Sequence, residues 1–266
     1  MRRRPKESER HVNALMTAVM ILDCFRSTNE LQLKDIHHRT GINKSRILRY
    51  VGSLEASGLM YFNEDTGSYH LGPKLYYLGR VLEKKYSSVI DAVRPVMDEL
   101  ETGPDSVAYF SIRYGFERLV LVRRQPSGVD ESVIKDGQVR PLHLGANSSI
   151  LLAYEKSSVL ARIMEHFRSA RSIALSEPQL IEMTDKLRRI RASGFAISYG
   201  ETKPGFYVTS VPVLGRSGIL VGALGLSTPG DTSDEAEARR QIVILTEAAT
   251  TISASLERTM TGEVAS

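Results

Sequence analysis

Apolar positions recur first at helical spacing, then in short extended runs, and finally at helical spacing again. Over residues 11–26, Val12, Leu15, Val19, Leu22 and Phe25 stand three and four apart, the stripe of an amphipathic helix. Residues 31–42 place Leu33 and Ile36 on a short helix that Gly41 closes. Residues 43–57 put Ile47, Val51 and Leu54 on one face with Leu48 at its edge, and Arg46, Arg49, Tyr50 and Ser53 on the opposite face. Asn43 is placed to N-cap that helix, and Gly58 stands where a C′ glycine ends one. The period then changes. Met60–Phe62 and Ser68–Leu71 flank a turn-rich Asn63–Gly67, which predicts a β-hairpin.

Pro73 suits the first turn of a new helix, and Leu75, Leu78, Leu82, Val89, Val93 and Leu100 continue the pattern, with a break or kink expected at Pro95. Val107–Ile112 and Leu119–Val122 predict paired strands, followed by short extended pieces at Ser132–Ile134 and Val139–Leu142. One helix is predicted over 148–166 and another over 177–192. Strands are predicted at 206–214 and 219–227, the second apolar enough to be central, and a last helix runs over 234–259. A helix, a glycine turn and a second helix with a basic outer face form a helix-turn-helix pattern for the DNA major groove, and the hairpin adds a wing.

Charge sharpens this picture. The net charge of +4 says little, but residues 1–50 hold eleven Lys/Arg against five Asp/Glu, +6 for the first fifth, leaving −2 for the rest. Basic charge at one end suits a polyanionic partner, and residues 1–10 with Arg2, Arg3 and Arg4 read as a flexible basic arm. The single cysteine, Cys24, lies beside Leu22 and Phe25, which predicts a buried inert thiol and leaves no cysteine-based zinc site. No apolar run reaches the roughly 18 residues of a membrane span, and the N-terminus lacks the apolar core of a signal peptide. A cytoplasmic protein without membrane contact is expected.

Longer motifs resemble the IclR family of bacterial transcription regulators over nearly the whole chain. Gly41–Arg49 is similar to the family's G-[IL]-P-K-S-T-x-x-R entry into its recognition helix. Tyr69–Leu75 with Leu78–Gly79 resembles Y-x-L-G-x-x-L-x-x-L-G. Pro141–His143 through Ala153 resembles P-L-H-x-x-A-x-G-K-A-L-L-A. Gly194–Ala196, Glu201 and Val211–Val213 resemble the G-[YF]-A…E…[AV]-P-[VI] block. Asn43 replaces the usual proline, Arg46 the usual threonine, and Ser148–Ser149 the usual Gly-Lys pair. The resemblance implies an α+β chain: a winged helix-turn-helix at 11–72, a connecting helix at 73–89, and a GAF-like α/β effector-binding domain at 90–260. It also implies homodimers or homotetramers on double-stranded DNA.

Ser45, Arg46, Arg49, Tyr50 and Ser53 are the candidate DNA-facing residues, with Lys44 a phosphate contact at the helix start. Matched positions place Ala146, Asn147, Ser198, Val208, Gly225 and Ser227 around a small-molecule effector. Physics bears on part of that set. A helix start at 146–149 favours an anion, hence a small carboxylate effector, aromatic or not, unless Asn147 or Ser148 merely caps the helix and the strand residues merely pack. At Gly225 a ligand could approach the strand backbone. No H-E-x-x-H, P-loop, G-x-S-x-G or paired-cysteine motif is present, and no spacing requires His143, Ser148, Glu201 and Asp231 to act together, so no enzyme, metal or cofactor is expected. The expectation is an effector-controlled DNA-binding regulator; the alternative is an architectural DNA-binding protein whose C-terminal domain only oligomerises.

Overall fold

The computed structural model describes residues 12–100, 102–103, 105–125, 134–170, 173–201, 203–230 and 235–262. The basic arm expected at 1–10, the extended residues expected at 132–133, and Asp231 lie outside these. Two compact units meet in sequence between Tyr86 and Ser87.

In the first unit, α1 (Asn13–Asp23), α2 (Leu33–Thr40) and α3 (Lys44–Ala56) enclose a core of Ile21, Phe25, Leu31, Ile36, Ile47, Val51 and Leu54. The stripe read at 11–26 is not the buried face: Phe25 is buried and Leu22 half-buried, and the core takes Ile21 and Cys24 instead of the rest. Val12, Leu15, Met16, Val19 and Met20 stay exposed. Cys24 is buried in the core, and that burial raises its thiol pKa. The hairpin forms as β2 (Met60–Asn63) and β3 (Ser68–Leu71), and β1 (Glu30–Leu31) joins β3 on its other edge. Two residues are too few to show a period, so β1 left no mark in the pattern.

α4 (Pro73–Lys84) has no buried residue and displays Tyr76, Tyr77, Leu78, Val81 and Leu82. The helical stretch breaks at Lys85–Tyr86, where both N–H groups bond three residues back, and not at Pro95. α5 (Ser87–Asp98) runs through Pro95, which forfeits only its own N–H bond to the Asp91 carbonyl.

The second unit is built on one antiparallel sheet ordered β6 (Val139–Pro141), β5 (Glu117–Arg124), β4 (Val107–Tyr114), β9 (Leu220–Pro229), β8 (Phe206–Leu214) and β7 (Ala196–Tyr199). β9 is central as its composition predicts, while β7 escaped the pattern because it is short. α5 and α9 (Glu235–Gly262) pack on one face. The other face carries α6 (Ala146–Ala153), α7 (Ser157–Ser169) and α8 (Glu177–Ser193) over a core that includes Tyr109, Leu142, Ile150, Phe167 and Ala223. The single helix expected at 148–166 is therefore two. Lys156 turns extended between them, and Glu155 is held by an ion pair to Arg113.

A candidate DNA interface and ligand site

The angle between α2 and α3 is set locally. Gly41 takes φ 69°, a left-handed value that glycine reaches without a Cβ clash, and so ends α2 within one residue. His37 Nδ1 bonds the Ile42 carbonyl at 2.6 Å, Thr40 Oγ1 accepts from the Ile42 N–H, and Arg39 donates to the Cys24 carbonyl. His37 thus ties the turn while remaining exposed. Asn43 occupies the N-cap position, but its Oδ1 accepts from Ser45 Oγ at 2.8 Å instead of capping α3.

Lys44, Ser45, Arg46, Arg49 and Ser53 are exposed, and Ser45, Arg46 and Arg49 border an open concavity of about 470 Å³ with Gly41, Ile42 and Asn43. Two residues depart from the expected stripe. Leu48 is 48% exposed, so it belongs to the outer surface. Tyr50 is half-buried against the core, because its long ring reaches back over the buried stripe. Its hydroxyl accepts from Arg46 Nη2 at 3.3 Å, and the Arg46 guanidinium lies 5.7 Å from the ring centre. That hydrogen bond, with others, draws the phenol below its usual pKa. Tyr50 is a platform that orients Arg46.

In the second unit the six residues named for a ligand converge. Ser198 on β7 pairs with Val208 on β8, and Val208 pairs with Ser227 on β9. The Ala146 N–H at the start of α6 donates to Ser198 Oγ at 3.0 Å. All six are buried. Residues from four elements, spread between Ala146 and Ser227, meet at one spot on the sheet.

Their chemistry differs from the expectation in two respects. The start of α6 is not an open anion site. Glu201 Oε2 accepts from the Gly145 N–H at 2.7 Å, and Ser198 takes the next donor. Glu201 also receives Lys186 Nζ at 3.0 Å, so the helix terminus already has its negative charge. Nor is Gly225 free for a ligand. A Cβ there would lie 2.0 Å from Asn147 Oδ1, so the glycine makes room for that amide. Asn147 and Ser148 do not cap the helix either. Asn147 Nδ2 donates to the Ala223 carbonyl at 3.2 Å and Ser111 Oγ at 3.4 Å, while Ser148 Oγ donates to the Pro141 carbonyl at 3.3 Å.

Two neighbours complete the surroundings, of which Arg118 was not singled out from the pattern. Arg118 on β5 is buried, with its guanidinium 5.5 Å from the centre of the Tyr109 ring. His143 lies edge-on to Phe167 at 5.7 Å, and burial lowers its pKa against the opposing pull of Glu201. Among the described residues, no cluster of three or more His, Cys, Asp or Glu could hold a metal, and no helix is long and apolar enough to cross a membrane.

Comparison with known proteins agrees with this architecture. The model of the IclR helix-turn-helix domain matches residues 14–64, and that of the bacterial transcriptional regulator IclR C-terminal domain matches residues 84–254. The HTH-type transcriptional regulator BhcR of Paracoccus denitrificans is 25% identical over 228 residues, 86% of this chain and 81% of that protein. The crystal structure of an IclR regulator from Alicyclobacillus acidocaldarius superposes with a TM-score of 0.63 at 23% identity, covering 92% of this chain and 99% of that one. An IclR homologue from Microbacterium hydrocarbonoxydans, solved with 4-hydroxybenzoate, gives a TM-score of 0.64 at 18% identity over 91% and 98% of the two chains. With the C-terminal family model alone spanning well over half of its length and the helix-turn-helix model matching the rest of its core, the chain belongs to the IclR family of DNA-binding bacterial transcriptional regulators.

Proposed function

We propose that this regulator binds an operator as a homo-oligomer and changes its operator affinity when the second unit binds a small organic carboxylate. The observation that carries the proposal is the polar patch in the middle of a buried sheet face. Asn147, Ser111, Ser198 and Ser227 stand there where a purely oligomerising domain needs only apolar packing. A homologue of the same fold was solved with 4-hydroxybenzoate, which supports a carboxylate. In the first unit, Arg46 and Arg49 read base edges from the major groove, Ser45 and Ser53 stand beside them, and Lys44 contacts phosphate. Tyr50 acts through Arg46.

Two copies are needed to place two such helices about 34–36 Å apart on one duplex face. The apolar residues displayed on α1 and α4 supply a surface for that pairing. Acting on the chromosome, the protein works in the cytoplasm, and its chemistry is binding, not catalysis.

The test is an electrophoretic shift with the DNA upstream of the protein's own gene and of its neighbours, with and without a panel of organic acids. Binding to one such fragment, altered by at least one acid, is the expected outcome. Binding that no acid alters would favour the architectural alternative.

A further inference from the structure

The second unit buries a cation that, among the described residues, no anion meets. Arg118 is 4% exposed, and its Nε and Nη1 are buried without a hydrogen bond. Strand pairing sets it between Arg113 on β4 and Arg140 on β6, so three guanidiniums stand in a row across the sheet. Arg113 is neutralised by Glu155, and Arg123 nearby bonds the Ile134 carbonyl and Gln125. Among the described residues, no carboxylate lies within ion-pair distance of Arg118. Its guanidinium sits over Tyr109, which pairs with Gly225, so the cation faces the α6 side of the sheet with only β4 between it and β9. Burial, and then repulsion from Arg118, lower the pKa of Arg140. A desolvated guanidinium without a counter-charge is strongly unfavourable, and repulsion from a neighbouring cation adds to that cost.

The start of α6 cannot take an incoming anion without displacing Glu201, whereas Arg118 has donors to spare. We propose that Arg118, flanked by Arg140 and backed by Tyr109, is the receptor for the carboxylate of a small organic acid bound on the α6 side of the sheet. The planar fork of a guanidinium matches a carboxylate through two parallel hydrogen bonds, and Val120, Leu142 and Ala223, which share a core with Tyr109, suit the rest of a small acid. One unpartnered guanidinium balances one carboxylate, whereas a phosphate dianion would need more donors. The proposal rests on the second unit being a small-molecule sensor, and its test separates the two.

The full chain, Arg118→Met and Arg118→Lys are melted by circular dichroism at constant ionic strength with benzoate, 4-hydroxybenzoate, succinate, inorganic phosphate or neutral benzamide. At least one carboxylate should raise the wild-type midpoint by roughly 5–10 °C at about a hundredfold excess over its Kd. Benzamide should leave it unchanged, and Arg118→Met should abolish the rise. Without acid, Arg118→Met should melt at or above wild type, because it removes an unpaired buried charge. Arg118→Lys keeps the charge without the fork, so it should fold and respond more weakly. The proposal is overturned if no carboxylate raises the midpoint, if the rise survives in Arg118→Met, if phosphate alone produces it, or if both variants melt well below wild type without acid. Operator release by an acid in both wild type and Arg118→Met would overturn this proposal and leave the sensor intact. A carboxylate response that depends on Arg118 but never alters operator binding would keep the receptor and overturn the regulatory reading.

Discussion

Replacing Gly225 by alanine tests whether the Asn147 amide is seated against the central strand. The new Cβ would lie 2.0 Å from Asn147 Oδ1, 2.9 Å from its Cγ and 3.1 Å from its Nδ2. All three belong to one planar group, so the amide must move by more than 1 Å to reach ordinary contact at about 3.5 Å. Moving it breaks the Nδ2 hydrogen bonds to the Ala223 carbonyl and Ser111 Oγ inside a buried site. Overpacking costs about 1–3 kcal/mol and an orphaned buried amide about 1–3 kcal/mol. Alanine recovers about 0.4–1 kcal/mol by restricting the unfolded chain. The net expectation is a loss of about 1–5 kcal/mol. Hydrogen exchange in the full-length protein, followed by mass spectrometry on peptides from β8 and β9, reads this as a lower opening free energy. In an Asn147→Ala background the same substitution should be close to neutral, since nothing remains to collide with. An equal cost in both backgrounds, or a cost under about 0.5 kcal/mol in the wild-type background, would refute the reasoning.

Arg49→Ala should weaken operator binding at least tenfold, about 1.4 kcal/mol, in an electrophoretic shift while leaving the circular dichroism spectrum unchanged, and Arg46→Thr should alter sequence preference. Unchanged affinity in Arg49→Ala would remove it from the interface. Leu78→Glu puts a charge on the exposed apolar face of α4 and should convert the proposed oligomer to a smaller species in sedimentation, with loss of most operator affinity. An unaltered sedimentation coefficient would place the contact elsewhere. His143 is held below its ordinary pKa chiefly by burial, so the fold favours the neutral ring. Above about pH 6.5 the ring is neutral in both states and contributes nothing to the pH dependence. As pH falls below that value the unfolded chain takes up the proton first, so stability declines until the lowered folded pKa is passed. His143→Asn should flatten the acid limb of a plot of urea midpoint against pH, and an unchanged slope would contradict the assignment.

The chain by itself determined the features that depend on backbone period. Ile47, Val51 and Leu54 recur at helical spacing, so the buried face of α3 was legible, as was the outward direction of Arg46 and Arg49. The turn at Gly41 and the hairpin at Asn63–Gly67 follow from local backbone preferences in the same way. The six ligand-site positions came from the family resemblance, and their meeting place depends on strand pairing: Ser198 with Val208, and Val208 with Ser227. Only the tertiary structure decided what those residues do to one another. Glu201 reaches the start of α6 across 56 positions, Asn147 fills the space left by Gly225 across 78, and neither separation leaves a trace in a local pattern. Tyr50 and Arg118 make the same point with single side chains. The helical period put Tyr50 on the outward face and no local pattern marked Arg118, yet the one is half-buried and the other buried because a ring or guanidinium extends far enough from its backbone to reach a core assembled from other elements. Local geometry determines where a side chain starts. Which surface receives it is decided by segments distant in the chain, whose packing no short window can express.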